Sequence, residues 1–367
     1  MLEQTVQEAE FEGILGRQYA EKLGSERAGL YLRLRRLIRP TTVEIYEGPV
    51  PNDNEIHIIR LDRKPFGSHY DDVYLSLFLE FEGTGQIVPG DKVLETTSGS
   101  AGVSFAGIGR ELGYRCIVAI PAGGEQARVD AIKAQGAEVI LTDAEKYVSG
   151  FPRWILRYLA TNRDVTFLNH SMGPTDPRTR KPTINGVTIE AMSKWAYRAR
   201  AQIGLPDIYF PGIGNGSSVL GPGGTFGAYV IGFESVLSGV VYELIHPGRY
   251  EGMFGVEPGS LGRHNLPGLS GKGIEFPHIE AAIRMGYLNE VVLVGDGFAI
   301  NLFREVTGRS PPPEHVVRWD AIDPGDPSIG RTGRASIAVA LDTARKVHGL
   351  KFATVSYDSM DRYDSAA

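Results

Sequence analysis

Glycine-rich turns carry the residues of this sequence whose types and spacing could bind an anion. The first turn, residues 97–102, reads Thr-Ser-Gly-Ser-Ala-Gly and lies between a strand-like run and a helical run. Backbone N–H groups at a helix start lack intrahelical acceptors and carry partial positive charge, so they bind carboxylate or phosphate. The hydroxyls of Thr97 and Ser98 add donors. An ordinary capped helix start explains the same residues equally well.

Two further turns have a similar composition. Residues 212–218 read Gly-Ile-Gly-Asn-Gly-Ser-Ser and follow a strand-like run that ends at Phe210. No acidic residue follows at the distance that a dinucleotide site needs, so a loop that holds one phosphate is the better interpretation. Residues 330–335 read Gly-Arg-Thr-Gly-Arg-Ala and open a predicted helix over 336–346. A capped helix start with two solvated arginines is the ordinary explanation of this third turn.

Other kinds of reactive site find little support. The eight histidines are scattered, and none forms a two-histidine pair at helical spacing with a nearby carboxylate, so we expect no metal site. The Gly-x-Ser-x-Gly pattern of a nucleophile elbow does not occur in a strand-turn-helix context. The single cysteine, Cys116, lies in an apolar run over 116–120 and is expected to be an inert core thiol.

Strands and helices alternate along most of the chain. Helices are predicted over 3–38, 70–81, 101–112 and 126–135, and strands over 55–61, 92–95, 116–120, 138–141, 207–210, 252–256 and 352–355. This rhythm predicts an α/β protein with mostly parallel, doubly wound sheets. We expect two domains with a cleft between them, the first over residues 1–165 and the second over 166–367.

The bulk composition is that of a globular protein. The chain has 367 residues, of which 42% are hydrophobic and 22% are charged. A net charge of -6 argues against a general nucleic-acid binder, which usually carries a basic stripe. The N-terminus does not resemble a signal peptide, and no window approaches the roughly 18 apolar residues of a membrane span. These features predict a cytoplasmic protein without membrane or nucleic-acid partners.

Six motifs occur in the order and spacing of a known family. Residues 97–102, 113–121, 136–139, 214–218, 256–258 and 358–363 resemble segments of the fold-type II pyridoxal phosphate (PLP) enzymes, whose fold is also that of tryptophan synthase β. The similarity is to the cysteine synthase and cystathionine β-synthase branch and runs from about residue 41 to 363. It implies a small amino-acid-derived ligand and a homodimer.

The resemblance also implies which residues form the site. The substrate carboxylate would be bound by the first turn and by a segment over 168–171 that resembles the family's glutamine stretch: Thr97, Ser98, Gly99, Ser100, Asn169 and His170. The cofactor phosphate would be bound by the second turn, and Thr332 falls where the family's serine meets the pyridine nitrogen. This cofactor-binding set is Gly214, Asn215, Gly216, Ser217, Ser218 and Thr332.

One position departs from the family in a way that changes the chemistry. Residues 67–72 read Gly-Ser-His-Tyr-Asp-Asp, and Tyr70 stands where the family has the lysine that forms the Schiff base with PLP. A phenol has no amine and cannot form an imine. Nearby family residues are also replaced, with Asp72 in place of an arginine and Ser100 in place of an asparagine. The resemblance therefore implies that PLP is bound noncovalently or not at all.

Three interpretations remain open at this point. The protein is an enzyme for β-elimination, addition or replacement that works without the lysine linkage, with Tyr70 and His69 as acid-base groups. Alternatively, it is an inactive pseudoenzyme that serves as a binding or regulatory subunit. The third interpretation is a PLP enzyme with a relocated lysine, for which Lys64 is the candidate. A solvated lysine at a strand end is the ordinary expectation for Lys64.

Overall fold

A computed structural model describes residues 14–262, 264–269, 271 and 277–364. The strands are β1 (Thr42–Ile45), β2 (Glu55–Arg60), β3 (Lys92–Thr96), β4 (Arg115–Pro121), β5 (Glu138–Thr142), β6 (Val165–Phe167), β7 (Ile208–Phe210), β8 (Tyr229–Ser235), β9 (Glu290–Gly295), β10 (Val316–Arg318) and β11 (Lys351–Ser356). The α-helices, after a helical stretch over 14–23, are α1 (Ser25–Ile38), α2 (Tyr70–Gly83), α3 (Ala101–Glu111), α4 (Gln126–Ala134), α5 (Phe151–Thr161), α6 (Gly186–Ile203), α7 (Ser217–Phe226), α8 (Val240–Ile245), α9 (Arg249–Phe254), α10 (Pro277–Arg284), α11 (Gly297–Thr307) and α12 (Arg331–Ala344).

The strands form two mostly parallel sheets, which confirms the predicted α/β class. The larger sheet has the order β1-β2-β11-β7-β8-β9-β10, and the smaller sheet has the order β5-β4-β3-β6. Only the β1–β2 pair is antiparallel among the described pairings. Parallel neighbours need crossover connections, and the helices between the strands supply them.

Sheet membership does not follow the predicted division between residues 165 and 166. Strands β1 and β2 come from the first part of the chain, yet β2 pairs with β11 in the larger sheet. Strand β6 closes the smaller sheet beside β3, although the predicted boundary falls within this strand. The division into two domains at that point stays a prediction.

The strand predicted over 252–256 is wrong, because most of this segment is helical. Helix α9 covers Arg249–Phe254, and Tyr250 and Phe254 are both buried within it. Their spacing of four residues places both rings on one face of a helix, where Phe254 meets Phe303 edge to face at 5.4 Å. Residues 256–258, compared above with a family strand end, lie in a bend and turn. Of the predicted helix over 3–38, residues 3–13 lie outside the described residues.

Helix α2 is fixed rigidly in the core, and its first residue is Tyr70. Phe78 stacks on Phe105 of α3 at 5.7 Å and on Tyr114 at 5.0 Å between ring centroids. Tyr74, Leu77 and Phe78 are buried, at spacings of three and four residues from Tyr74, which is the pattern that anchors one helix face. The N-terminal end of α2 therefore has a defined position relative to α3.

The turns of interest follow the carboxyl ends of parallel strands. Residues 97–100 follow β3, residues 168–171 follow β6, residues 212–218 follow β7, and Tyr357 follows β11. In open α/β sheets, ligands bind in the crevice outside these strand ends. The fold thus brings segments that are distant in sequence to one cleft. No helix in the described part of the chain is long and apolar enough to cross a membrane.

Candidate active site

The cleft between the two sheets contains a cavity of about 200 Å³. The sequence-predicted residues that line it are His69, Tyr70, Thr97, Ser98, Gly99, Ser100, Asn169, His170, Gly214, Asn215, Ser217, Ser218 and Thr332. Gly216 is the one predicted site residue outside this lining. It is the N-cap of α7, with a left-handed φ of 89° that favours glycine. The three turns and the segment around Tyr70 are therefore brought together.

Tyr70 lies in an aromatic cluster at the start of α2. Its ring packs against His69 at 3.9 Å with a tilt of 39° and meets His170 edge to face at 5.0 Å between centroids. Burial raises the pKa of the Tyr70 phenol, and the nearby carboxylate of Glu95 and the Tyr357 phenol raise it further. This direction is opposite to that of a phenol activated by a cation. Tyr70 therefore keeps its proton at neutral pH and can serve as a hydrogen-bond or proton donor.

His69 is held as a neutral imidazole. Burial, with a further contribution from His170, lowers the pKa of His69 to about 3. Its ring packs against Tyr70 and meets Tyr357 edge to face at 5.1 Å. The Nδ1 atom is buried and has no hydrogen-bond partner among the described residues. A neutral ring with an unpartnered nitrogen could accept or donate one hydrogen bond to a bound ligand.

His170 is oriented by a buried carboxylate. Its Nδ1 lies 3.2 Å from Glu95 Oε2 and 3.0 Å from the Tyr74 hydroxyl. Its Nε2 lies 3.2 Å from Ser171 Oγ, and both His170 and Ser171 line the cavity. The sequence analysis did not identify Glu95, because a glutamate at the end of a short strand has no local pattern that distinguishes it.

Lys64, the candidate for a relocated lysine, does not line the cavity. Its side chain is only 1% exposed, and Nζ donates to the Ile38 carbonyl at 2.6 Å and pairs with Asp72 at 2.9 Å. Asp72 also pairs with Arg198 at 2.6 Å. The expectation of a solvated Lys64 is therefore wrong, and the ammonium group is committed to a buried pair. Among the described residues that line the cavity, none is a lysine.

The first turn is closed by residues that the sequence analysis missed. Ser100 Oγ donates to Asp358 Oδ2 at 2.6 Å, and the same oxygen accepts a bond from Arg128 at 3.0 Å. The Arg128 guanidinium packs against Gly99, where a Cβ would lie 1.7 Å from Nη1. Arg128 and Asp358 both line the cavity. Asp358 had a sequence signal, because it begins the family-like motif over 358–363. Arg128 had none, because an arginine in a helix such as α4 is ordinarily expected to be solvated.

The second turn has the geometry of an anion-binding loop. A Cβ on Gly214 would lie 2.2 Å from the Gly268 carbonyl oxygen, so only glycine fits there. Asn215 Oδ1 accepts from Ser217 N at 2.9 Å and from Ser217 Oγ at 2.7 Å. A carboxamide oxygen thus already lies against donors at the start of α7. This loop fits a phosphate, whereas Tyr70 does not fit covalent attachment of PLP.

The described residues contain no group of three histidine, cysteine, aspartate or glutamate side chains placed to hold a metal ion. The charges that face the cavity come instead from Arg128 and Asp358. These two side chains already pair with each other.

Comparison with known proteins agrees with this geometry. A family model described as "Pyridoxal-phosphate dependent enzyme" matches residues 35–310. Cysteine synthase B of Escherichia coli is 33% identical over 126 residues, which cover 34% of this chain and 41% of that protein. The match thus spans less than half the length of that relative. Cysteine synthase of Aquifex aeolicus is 25% identical over 319 residues, which cover 87% of this chain and 85% of that one.

A solved structure shows the same fold. The O-acetylserine-dependent cystathionine β-synthase of Helicobacter pylori superposes with a TM-score of 0.69 and 20% identity, over 91% of this chain and 97% of that chain. The α/β architecture with its mostly parallel sheets is therefore that of the fold-type II enzymes, as the sequence predicted.

Proposed function

Because the chain belongs to the pyridoxal-phosphate-dependent enzyme family, we propose that it is a divergent, cysteine synthase-like enzyme that works without a lysine–PLP linkage. Its substrate would be a small amino-acid-derived carboxylate, and its reaction a β-elimination, addition or replacement. The observation that supports this proposal is a cavity that is lined by Tyr70 and, among the described residues, by no lysine, together with the buried pairing of Lys64. The cytoplasmic location and the homodimer expected from the resemblance belong to the same proposal.

The substrate carboxylate would lie at the start of α3. Backbone N–H groups of residues 98, 100 and 101 and the hydroxyls of Thr97 and Ser98 are the donors proposed for it, since the N–H groups of Thr97 and Gly99 already have partners. Asn169 and His170 close the opposite wall. PLP, if bound, would be held noncovalently through its phosphate by the loop over 214–218 and would supply an electron sink for carbanion chemistry.

Acid-base work would be divided between two rings. A β-elimination needs a base for the proton on the α-carbon and a donor for the leaving group. His170 is proposed as the base, because Glu95 stabilises the imidazolium that forms. Tyr70 is proposed as the donor, because its phenol stays protonated. Neutral His69 would then hold the ligand by a hydrogen bond from its unpartnered nitrogen.

The linkage is tested with PLP, absorbance and borohydride. We expect PLP to bind in equilibrium dialysis without the visible-edge band of a lysine imine, and borohydride to trap no stoichiometric adduct. Peptide mapping should include Lys272, which lies outside the described residues. A stoichiometric adduct on any one lysine would establish the relocated-lysine interpretation instead. Failure of PLP and of amino-acid analogues to bind would favour the pseudoenzyme.

Two substitutions at one position sharpen this test. Tyr70→Lys restores an amine at the start of α2 and should produce the imine band if the rest of the cleft fits the cofactor. Tyr70→Phe keeps the ring and removes only the hydroxyl, so it should reduce turnover by roughly 10²–10⁴-fold if the phenol transfers a proton. Unchanged turnover in Tyr70→Phe would exclude that role. Phe should also keep the ring contact with His69.

A further inference from the structure

A serine, a histidine and a glutamate lie within contact distance of one another, in that order, in the cleft wall. Ser171 Oγ lies 3.2 Å from His170 Nε2, and His170 Nδ1 lies 3.2 Å from Glu95 Oε2. Ser171 is partly buried and lines the cavity, whereas Glu95 is only 1% exposed. Nucleophile, base and orienting carboxylate within hydrogen-bond reach define the arrangement used for nucleophilic catalysis on several unrelated folds.

The surroundings of Glu95 decide which nitrogen of His170 carries the proton. Glu95 Oε1 accepts from Thr96 N at 2.8 Å, and Oε2 accepts from His170 N at 3.1 Å. The Tyr74 hydroxyl also interacts with this carboxylate. Because the Tyr74 hydroxyl donates its hydrogen to Glu95, its oxygen is left to accept from His170 Nδ1 at 3.0 Å, which places the ring hydrogen on Nδ1. His170 Nε2 is then the acceptor that faces the Ser171 hydroxyl.

The turn that presents Ser171 is held in an unusual conformation. Asn169 has a φ of 55°, a left-handed value that is uncommon for a residue with a side chain. Helix α6 fixes the turn, because Asn185 Nδ2 donates to the Asn169 carbonyl at 2.8 Å and Thr188 Oγ1 donates to the His170 carbonyl at 3.0 Å. Strained backbone of this kind is concentrated at functional sites. The side chains of His170 and Ser171 are thus positioned by tertiary contacts.

We propose that Ser171 is a nucleophile for acyl transfer from a small ester or thioester bound in this cleft. Ser171 Oγ forms a bond to the acyl carbon, and His170 Nε2 takes the hydroxyl proton. The bond from the acyl carbon to its alcohol or thiol breaks, and His170 returns the proton to that leaving group. A water molecule then attacks the acyl carbon and loses a proton to His170. The bond from that carbon to Ser171 Oγ breaks, and His170 returns the proton to Oγ, which releases the carboxylic acid and free Ser171. The step is redox-neutral and needs no PLP.

The chemistry is tested on PLP-free protein with p-nitrophenyl acetate and with phenylmethylsulfonyl fluoride. We expect a burst of one p-nitrophenol per chain and sulfonylation of Ser171, located by peptide mapping. Ser171→Ala should abolish both. Ser260→Ala is the matched control, because Ser260 is exposed and its hydroxyl donates to a backbone carbonyl. A burst that survives in Ser171→Ala, or a label on another residue, would overturn the proposal.

Substitutions of His170 and Glu95 distinguish a loss of acylation chemistry from a loss of folding. His170→Asn should slow acylation by roughly 10²–10⁴-fold, the usual contribution of a general base. Glu95→Gln should shift the pH dependence of the burst, because the imidazolium loses its anionic partner. Urea unfolding of each variant shows whether it folds. A folded His170→Asn that acylates at the unsubstituted rate would refute the role of the imidazole.

The result of the acylation assay does not depend on whether PLP is linked to a lysine. The acylation assay contains no cofactor, and its readout is a covalent adduct on serine. The function proposed above is tested by PLP binding and borohydride, with lysine as the residue mapped. A chain that binds PLP but gives no acyl-serine would refute this inference alone.

Discussion

Replacing Lys64 with methionine is expected to destabilise the protein strongly, although a sequence-based interpretation places this lysine in solvent. Methionine keeps most of the stem and removes the ammonium group. The change leaves the Ile38 carbonyl without its 2.6 Å donor and removes one of two cations beside Asp72. Arg198 remains at 2.6 Å, so Asp72 is not left unpaired.

The expected loss is about 3 kcal/mol in the free energy of unfolding. Removing one partner of a buried ion pair costs about 3–5 kcal/mol, and an unsatisfied buried carbonyl about 1–3 kcal/mol. The lower end of the first range applies because Arg198 stays in place. The two costs overlap, since one ammonium group makes both contacts. A value near 3 kcal/mol therefore represents their combined effect.

Urea unfolding at pH 7, followed by tryptophan fluorescence, measures this loss. Lys346→Met is the matched control, because the Lys346 side chain is 70% exposed and pairs with Asp342 at 2.6 Å near the end of α12. An exposed pair of this spacing contributes about 0.3–0.5 kcal/mol. The Lys64 variant should therefore unfold at a clearly lower urea concentration than the control variant.

The pH dependence of the difference in unfolding free energy between wild type and Lys64→Met provides a second test of the buried pairing. Burial alone would raise the pKa of Asp72, but Lys64 and Arg198 outweigh it and lower that pKa. A lowered pKa adds stability above the unfolded value of about 3.9, and this stability is lost as the pH falls through the folded value. The gap between wild type and Lys64→Met should then shrink below about pH 4. A gap under about 1 kcal/mol at pH 7, equal to that of the control, would refute the buried pairing.

Three further predictions concern other buried groups. Burial raises the pKa of Asp71 to about 7, so its contribution to stability is present below about pH 4 and is lost as the pH rises towards 7. Asp71→Asn should flatten a urea-unfolding profile over this range by up to about 1.4 kcal/mol per pH unit. Gly214→Ala should cost about 1–3 kcal/mol in urea unfolding and weaken PLP binding, because its Cβ meets the Gly268 carbonyl. Gly252→Ala, whose Cβ would enter open space, should leave both measurements unchanged. Burial raises the pKa of Cys116 to about 12, so a disulfide reagent should modify this thiol only after unfolding; rapid modification of the native protein would contradict its burial.

Local sequence determined the secondary structure and the identity of the cleft turns. Periodicity predicted α2, α3 and the strands β3 and β4 because each buries most of its apolar residues at its own spacing. Glycines and small hydroxyl residues predicted the turns at 97–102 and 212–218, since their conformation depends on nearby residues. The segment over 252–256 misled this reasoning, because a short apolar run does not distinguish a strand from a helix.

Tertiary structure decided the electrostatics of the site. The sequence shows that Tyr70 cannot bind PLP covalently, but only folding brings the Glu95 carboxylate towards its ring and keeps its phenol protonated. The contact series of Ser171, His170 and Glu95 brings together residues that follow or end two different strands. His170 N donates to the Glu95 carboxylate although the two residues are 75 positions apart in sequence. Lys64 resembles a surface lysine until its partners are known. The sequence alone thus determined which groups are present, whereas their charges and partners depend on burial and on contacts between distant segments, which no local pattern encodes.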